Sequence, residues 1–314
     1  MQFKEFKRAT FVSILFTCSL MASSAMAQSI PDKIEKIGLM VQDMSNPFFS
    51  AMDGGGKRAA EEIGAQINVQ DAQLDLSAQY NQIDAFIQQG MDLIIVSAVD
   101  GAGIEPAILK AKEAGIIVIA VDTPANGADV VIMTDAVQAG MRSCKYLFDQ
   151  MGGKGQVLLV DGTPIQTIID RIDGCKTVAQ EYPDIQIVGQ QASQNDRASG
   201  LAVTTDMLTA NPDVTGIFGM NDPSALGAVL AVEQAGKQNQ IIVTGVDGSP
   251  ESVDELKREG SPFVGTATQN PGKMVSEAVK IAQDIVAGNS PTETTILIPS
   301  ELVTRDNVDE YPGW

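Results

Sequence analysis

The sequence predicts an α/β protein of two doubly wound parallel-sheet lobes joined by a multi-segment hinge. Three observations carry this. Short apolar runs alternate with helical patterns from residue 36 almost to the end of the chain. The 314 residues exceed what one hydrophobic core usually organises. Many of the apolar runs end in an acid, an amide or a hydroxyl, and these polar ends fall into two sets.

The first residues stand apart from this pattern. Lys4, Lys7 and Arg8 form a positive region, Phe11 to Met21 is mostly apolar, and Ala25-Met26-Ala27 is a small-x-small site. Residues 1–27 therefore read as a secretory signal peptide cut after Ala27. The apolar core is too short to span a bilayer as a helix. Bulky Phe16 and Thr17 before Cys18 argue against a lipid anchor there. Cleavage leaves 287 residues and moves the formal charge from −19 to −21. Such a charge argues against nucleic acid and anionic lipid as partners.

The central stretch is KIGLMVQDMSNPFF, residues 36–49. Ile37 to Val41 reads as a buried parallel strand, and a helix is expected from about Phe48. Pro47 suits a first helical turn, where its missing N–H would be unpaired anyway. Gln42, Asn46, Phe48 and Phe49 thus stand at the carboxyl end of a strand, where α/β sheets bind ligands. The structural alternative is a capped helix with two core phenylalanines.

Further strands are expected at 66–70, 92–97, 116–121, 129–133, 155–160, 185–190, 214–219, 240–246 and 262–268, and a last one near 296–300. Helices are expected at 48–64, 77–89, 103–114, 137–151, 168–181, 197–210, 223–235, 250–259 and 271–288. The polar strand ends are Ser97, Asp122, Thr134, Asp161, Asn221, Asp247 and Gln269. One acid at a strand end is commonly a helix cap. So many of them read as two facing rims with a ligand trap between. No Pro- or Ser-rich tract, charge block or long repeat interrupts the chain. Several short crossings are therefore expected between the lobes, an arrangement that favours hinge closure.

Catalytic signatures are missing. The chain has no His, which excludes nucleophile–His catalysis and removes the commonest metal ligand. It has no GxGxxG opening a helix, no P-loop, no CxxC and no HExxH, so neither cofactor nor metal is expected. Gly54-Gly55-Gly56 lies inside a predicted helix, and DGTP at 161–164 reads as a structural turn. Cys144 and Cys175 are either buried thiols or a disulfide pair, and both readings stay open.

The mature chain resembles the periplasmic sugar-binding proteins of ABC importers, most closely the ribose-binding group with the type I periplasmic binding protein fold. The likeness rests on SNPFF at 45–49, VD at 121–122, DR-x-DG at 170–174, ND-x-x-ALGA at 221–228 and G-x-DG-x-P at 245–250. By that resemblance, ligand contacts fall on Asn46, Phe48, Phe49, Asp122, Arg171, Asn221, Asp247 and Gln269, and on Gln42, Ser97 and Thr134 at matching positions. The first lobe would hold residues 30–134 and 270–296, the second 135–269 and 297–314. The resemblance also implies a monomer in the periplasm, closure around a small sugar or polyol, delivery to an ABC transporter permease, and in some members presentation to a chemoreceptor.

The residue types suit a neutral polyhydroxyl ligand. Asp122 and Asp247 accept from hydroxyls, Arg171 donates in a fixed fork, the amides do both, and phenyl faces cover C–H groups. Two positions depart from the ribose group. Thr123 stands where those proteins have Arg, and Asn195 where they have an aromatic. A linear polyol, a cyclitol or a differently configured sugar is therefore expected to bind better than ribose. Two other classes compete. A sugar-responsive regulator core would need a DNA-binding headpiece, and a cleft enzyme acting on a sugar would need a base or cofactor that this sequence does not spell.

Overall fold

The computed structural model describes Met1, residues 30–311 and residues 313 and 314. Apart from Met1, the expected signal peptide lies outside the described residues.

The first sheet is built from β1 (Lys36–Val41), β2 (Gln66–Asp71), β3 (Leu93–Val96), β4 (Ile117–Val121) and β5 (Val130–Thr134). The second is built from β6 (Lys154–Asp161), β7 (Asp184–Ala192), β8 (Val214–Gly219), β9 (Ile242–Asp247) and β10 (Phe263–Thr268). β11 (Thr295–Ile298) then joins the first sheet, and β12 (Leu302–Thr304) joins the second. The spatial orders are β11-β5-β4-β3-β1-β2 and β12-β10-β9-β8-β6-β7. Every pairing is parallel except the short β10–β12 pair. In each sheet the chain reverses its winding around one strand, β1 in the first and β6 in the second. Ligands of open α/β sheets bind beyond the carboxyl ends of strands at such a switch point.

Nine helices occur among the described residues: α1 (Pro47–Ile63), α2 (Leu76–Gln89), α3 (Glu105–Glu113), α4 (Ala136–Gln150), α5 (Gln166–Ala179), α6 (Arg197–Ala210), α7 (Asp222–Gln234), α8 (Pro250–Lys257) and α9 (Pro271–Val286). Pro sits in the first turn of α1, α3, α7, α8 and α9, where the chain loses no hydrogen bond. The strand-end residues Asn46 and Asn221, with Asp135 beyond β5, each cap a helix through a side-chain oxygen. Capping and cleft-lining are therefore not alternatives for Asn46 and Asn221.

The central strands are buried on both faces, which explains their unbroken apolar runs. Ile37, Leu39 and Val41 of β1 point into a layer with α1 and α9. Met40, one residue out of phase, points into the opposite layer with Ile83 and Phe86 of α2.

The chain passes between sheets three times, after β5, after β10 and after β11. The crossings are tied to one another. The Asp135 N–H donates to the Ile298 carbonyl at 3.0 Å, and the Ser300 hydroxyl donates to the Thr268 carbonyl at 2.9 Å. Two expectations shift here. The strand expected at 296–300 ends at Ile298, because Pro299 has no N–H to continue the ladder. The last change of sheet therefore falls after Ile298, two residues beyond the expected boundary at 296. Three-residue β12 carries no periodicity of its own and was not foreseen.

Candidate ligand-binding cleft

The carboxyl ends of the two sheets face each other across a cavity of about 60 Å³. Gln42, Asn46, Phe48, Phe49, Asp122 and Thr123 line it from the first lobe. Arg171, Asn195, Asn221, Asp247 and Gln269 line it from the second lobe and its edge.

On the first lobe a hydrogen-bonded chain orients the polar groups. Gln42 Nε2 donates to Ser97 Oγ at 3.1 Å, to the Ala98 carbonyl at 3.0 Å and to Thr123 Oγ1 at 2.9 Å. The Ser97 and Thr123 hydroxyls each donate to Asp122 Oδ2 at 3.3 Å. Ser97 itself is fully buried behind the cavity wall and acts by holding Gln42 and Asp122. Asp122 has φ +65°, a left-handed backbone uncommon outside glycine, so its side chain is aimed at some cost in strain. Among the described residues, Gln42 Oε1, Asp122 Oδ1 and Asn46 Nδ2 have no protein partner.

The second lobe presents a cation between acids. Arg171 Nη1 donates to the Met220 carbonyl at 3.0 Å and lies 3.5 Å from Asp247 Oδ1. Arg171 Nε is buried with no partner. Asp247 Oδ1 accepts from Gln269 Nε2 at 2.7 Å, and Asp247 Oδ2 accepts from the Asp222 N–H at 3.2 Å. Gln269 Oε1 has no protein partner among the described residues. Phe48 and Phe49 meet edge to face with ring centres 5.3 Å apart and supply the apolar wall.

Three further expected residues, besides Ser97, serve differently from the sequence reading. Asn195 lines the cavity, but Oδ1 accepts from the Thr163 N–H at 2.9 Å and Nδ2 donates to Thr163 Oγ1 at 2.6 Å. Its polar atoms pin the loop after β6 instead of pointing freely at hydroxyls. Asn221 is similarly engaged, with Oδ1 capping α7 at Ser224 N and Nδ2 on the Asn195 carbonyl at 3.0 Å. Thr134 does not line the cavity. It is buried where the chain leaves the first sheet, and its Oγ1 has no partner.

Ile165, Thr167, Ile168 and Met220 also line the cavity and were not foreseen. The first three follow β6, the switch-point strand of the second sheet, and α5 begins two residues earlier than its apolar pattern suggested. Trp314 was missed as well. It packs edge-on against Phe48 with centroids 6.0 Å apart, and its Nε1 donates to the Asp247 carbonyl at 2.9 Å.

The electrostatics disfavour an anion. Burial raises the carboxyl of Asp122, against the lowering effects of Arg171, Thr123 and Ser97. Burial also pushes Asp247 up to about 7, with Arg171 opposing and Asp222 adding. Asp222 is raised by its own burial. One guanidinium thus faces several buried acids, and an anionic ligand would meet Asp122 and Asp247.

A pH dependence follows. Asp247 holds its proton more tightly in the folded chain than in the unfolded one. Its contribution to stability is therefore present at low pH and is lost as pH rises from about 4 through about 7. Wild type should gain melting temperature relative to Asp247→Asn when both are moved from pH 8 to pH 5. A difference independent of pH would contradict the burial argument.

Two doubly wound lobes facing across a polar cavity with one aromatic wall define a two-lobed solute-binding protein. The family described as "periplasmic binding protein domain" matches residues 37–290. The chain belongs to that family. It is 30% identical over 308 residues to the ribose import binding protein RbsB of Bacillus subtilis, covering 94% of this chain and 98% of that one. It is 30% identical to the xylitol-binding protein of Mycolicibacterium smegmatis, covering 88% of this chain and 78% of that one. A periplasmic solute-binding protein of an ABC transporter from Actinobacillus succinogenes, solved with bound D-allose, superposes with a TM-score of 0.84 at 30% identity. That match covers 88% of this chain and all 100% of the other. Among the described residues no helix is long and apolar enough to cross a membrane, and no cluster of His, Cys, Asp and Glu could hold a metal ion.

Proposed function

We propose that the protein captures a small neutral polyol or sugar between its lobes and delivers it to the permease of an ABC importer. The carrying observation is the set of unpartnered groups around one cavity. Gln42 Oε1, Asp122 Oδ1 and Gln269 Oε1 accept, Asn46 Nδ2 and the Arg171 guanidinium donate, and two phenyl rings cover C–H faces. A ligand carrying several hydroxyls satisfies both kinds at once. An anion satisfies only the donors, and a hydrocarbon satisfies neither.

In this reading the protein is not an enzyme. It is exported to the periplasm as a monomer after loss of residues 1–27, and its closed form is read by the permease and by a chemoreceptor where one exists. The tied crossings act as the hinge.

The ligand is richer in perimeter hydroxyls than ribose is suited to provide. Thr123 removes the rigid donor of the ribose group, and among the described residues that line the cavity no aromatic stands opposite Phe48 and Phe49. Calorimetric titration of D-ribose, erythritol, xylitol and myo-inositol tests both levels. D-ribose should bind at least about tenfold more weakly than the best of the set, a difference of about 1.4 kcal/mol. If ribose binds tightest, the ligand assignment falls. If none binds, the sugar-or-polyol reading falls.

A further inference from the structure

Arg171 is carried by α5, and α5 packs on α4 far more than on any strand. Two glycines let these helices meet backbone to backbone. A Cβ on Gly140 of α4 would lie 2.0 Å from the Arg171 carbonyl oxygen. A Cβ on Gly174 of α5 would lie 2.3 Å from the Val137 carbonyl oxygen. Beside this contact, Cys144 of α4 and Cys175 of α5 form a disulfide with Cα atoms 5.2 Å apart. Cys144 is four residues after Gly140 and Cys175 four after Arg171, so each pair shares a helix face. The bridge therefore clamps the seam where the Arg171 backbone rests.

The same helix holds the partner acid. Ser143, next to Cys144, is fully buried and donates its hydroxyl to the Gly245 carbonyl at 2.8 Å. Gly245 lies on β9, two residues before Asp247. Arg171 Nη1 and Asp247 Oδ1 stand 3.5 Å apart, longer than the 2.7–2.9 Å usual for a charge-assisted hydrogen bond. Nη1 is turned to the Met220 carbonyl and Oδ1 to Gln269 Nε2, so the relative placement of α5 and β9 bears directly on this pair.

We propose that α4 is a shared frame for Arg171 and Asp247, and that the Cys144–Cys175 disulfide positions Arg171 for ligand as well as stabilising the lobe. The inference rests on the reading of Arg171 as a ligand contact. Without the bridge, α5 is free to slide along its glycine seam, and a rigid planar fork is sensitive to such a shift. A lysine at 171 would carry a point charge on a flexible stem and would be much less sensitive.

The test is a double-mutant cycle read as binding affinity for D-ribose, erythritol, xylitol and myo-inositol. In the otherwise wild-type protein, Cys144→Ala/Cys175→Ala should weaken binding of every ligand that binds by at least about fivefold, a loss of about 1 kcal/mol. In an Arg171→Lys background the same change should alter affinity by less than about twofold. In an Asn46→Ala background, on the opposite lobe, the full loss should return. Unchanged affinity without the disulfide overturns the proposal. So do equal losses in the Arg171→Lys and Asn46→Ala backgrounds, which mean general loosening. If the cysteine-free protein does not fold, Ser143→Ala probes the frame from the β9 side. It should give the same loss, again suppressed by Arg171→Lys, and unchanged affinity overturns the proposal. Wild type that binds none of the four overturns the ligand reading itself, and this inference with it.

Discussion

Arg171→Ala is expected to weaken ligand binding by roughly 30-fold to several-thousand-fold, or about 2–5 kcal/mol, while the protein still folds. The guanidinium is the cation that lines the cavity with Asp122 and Asp247. A ligand oxygen placed against it gains a charge-assisted bond. Truncation removes that bond and leaves Asp247 without its cation, so both effects act against binding. Asp122→Ala should lose affinity in the same range, because it removes a free acceptor oxygen that Ser97 and Thr123 hold in place. Calorimetry decides, with circular dichroism as the check on folding. Near-wild-type affinity in either variant removes that residue from the site.

Cys144→Ala/Cys175→Ala is expected to cost the second lobe about 3–4 kcal/mol of stability. The bridge joins residues 31 apart in sequence, and closing a loop of that length in the unfolded chain removes roughly that much entropy. Both cysteines are fully buried, and an oxidising compartment would keep them paired. Urea unfolding of the two proteins measures the difference. A loss under about 1 kcal/mol would mean that the bridge constrains the unfolded chain far less than its length requires.

The secondary structure was legible because both sheets are covered on both faces. Runs such as Ile117–Val121 are apolar throughout, and the amphipathic helices between them begin at recognisable caps and prolines. Most of the cleft was legible for a related reason, since parallel strands end at one edge and Asp122, Asn221 and Asp247 stand at those ends. The rest depends on non-local information. Which strand is the switch point follows from sheet order, and sequence does not state sheet order. Thr163 to Ile168 was therefore read as an ordinary turn and helix start, although it follows the switch-point strand β6. Asn195 was read as a departure from the ribose group. Its hydrogen bonds to Thr163 arise from a residue 32 positions away that no local pattern connects to it. Trp314 reaches Phe48 and Asp247 only through the fold. The pairing of Cys144 with Cys175 needed the close approach of α4 and α5, which two glycines permit but do not announce.

The most direct test of the account is a crystal structure of the protein with the tightest-binding of D-ribose, erythritol, xylitol and myo-inositol. The account predicts one ligand molecule between the lobes. Its hydroxyls should lie within hydrogen-bond distance of Asp122 and Asn46 on one side and of Arg171 on the other, with its C–H groups against Phe48 or Phe49. A ligand bound elsewhere, or one touching a single lobe without a hydrogen bond to Arg171, would contradict it.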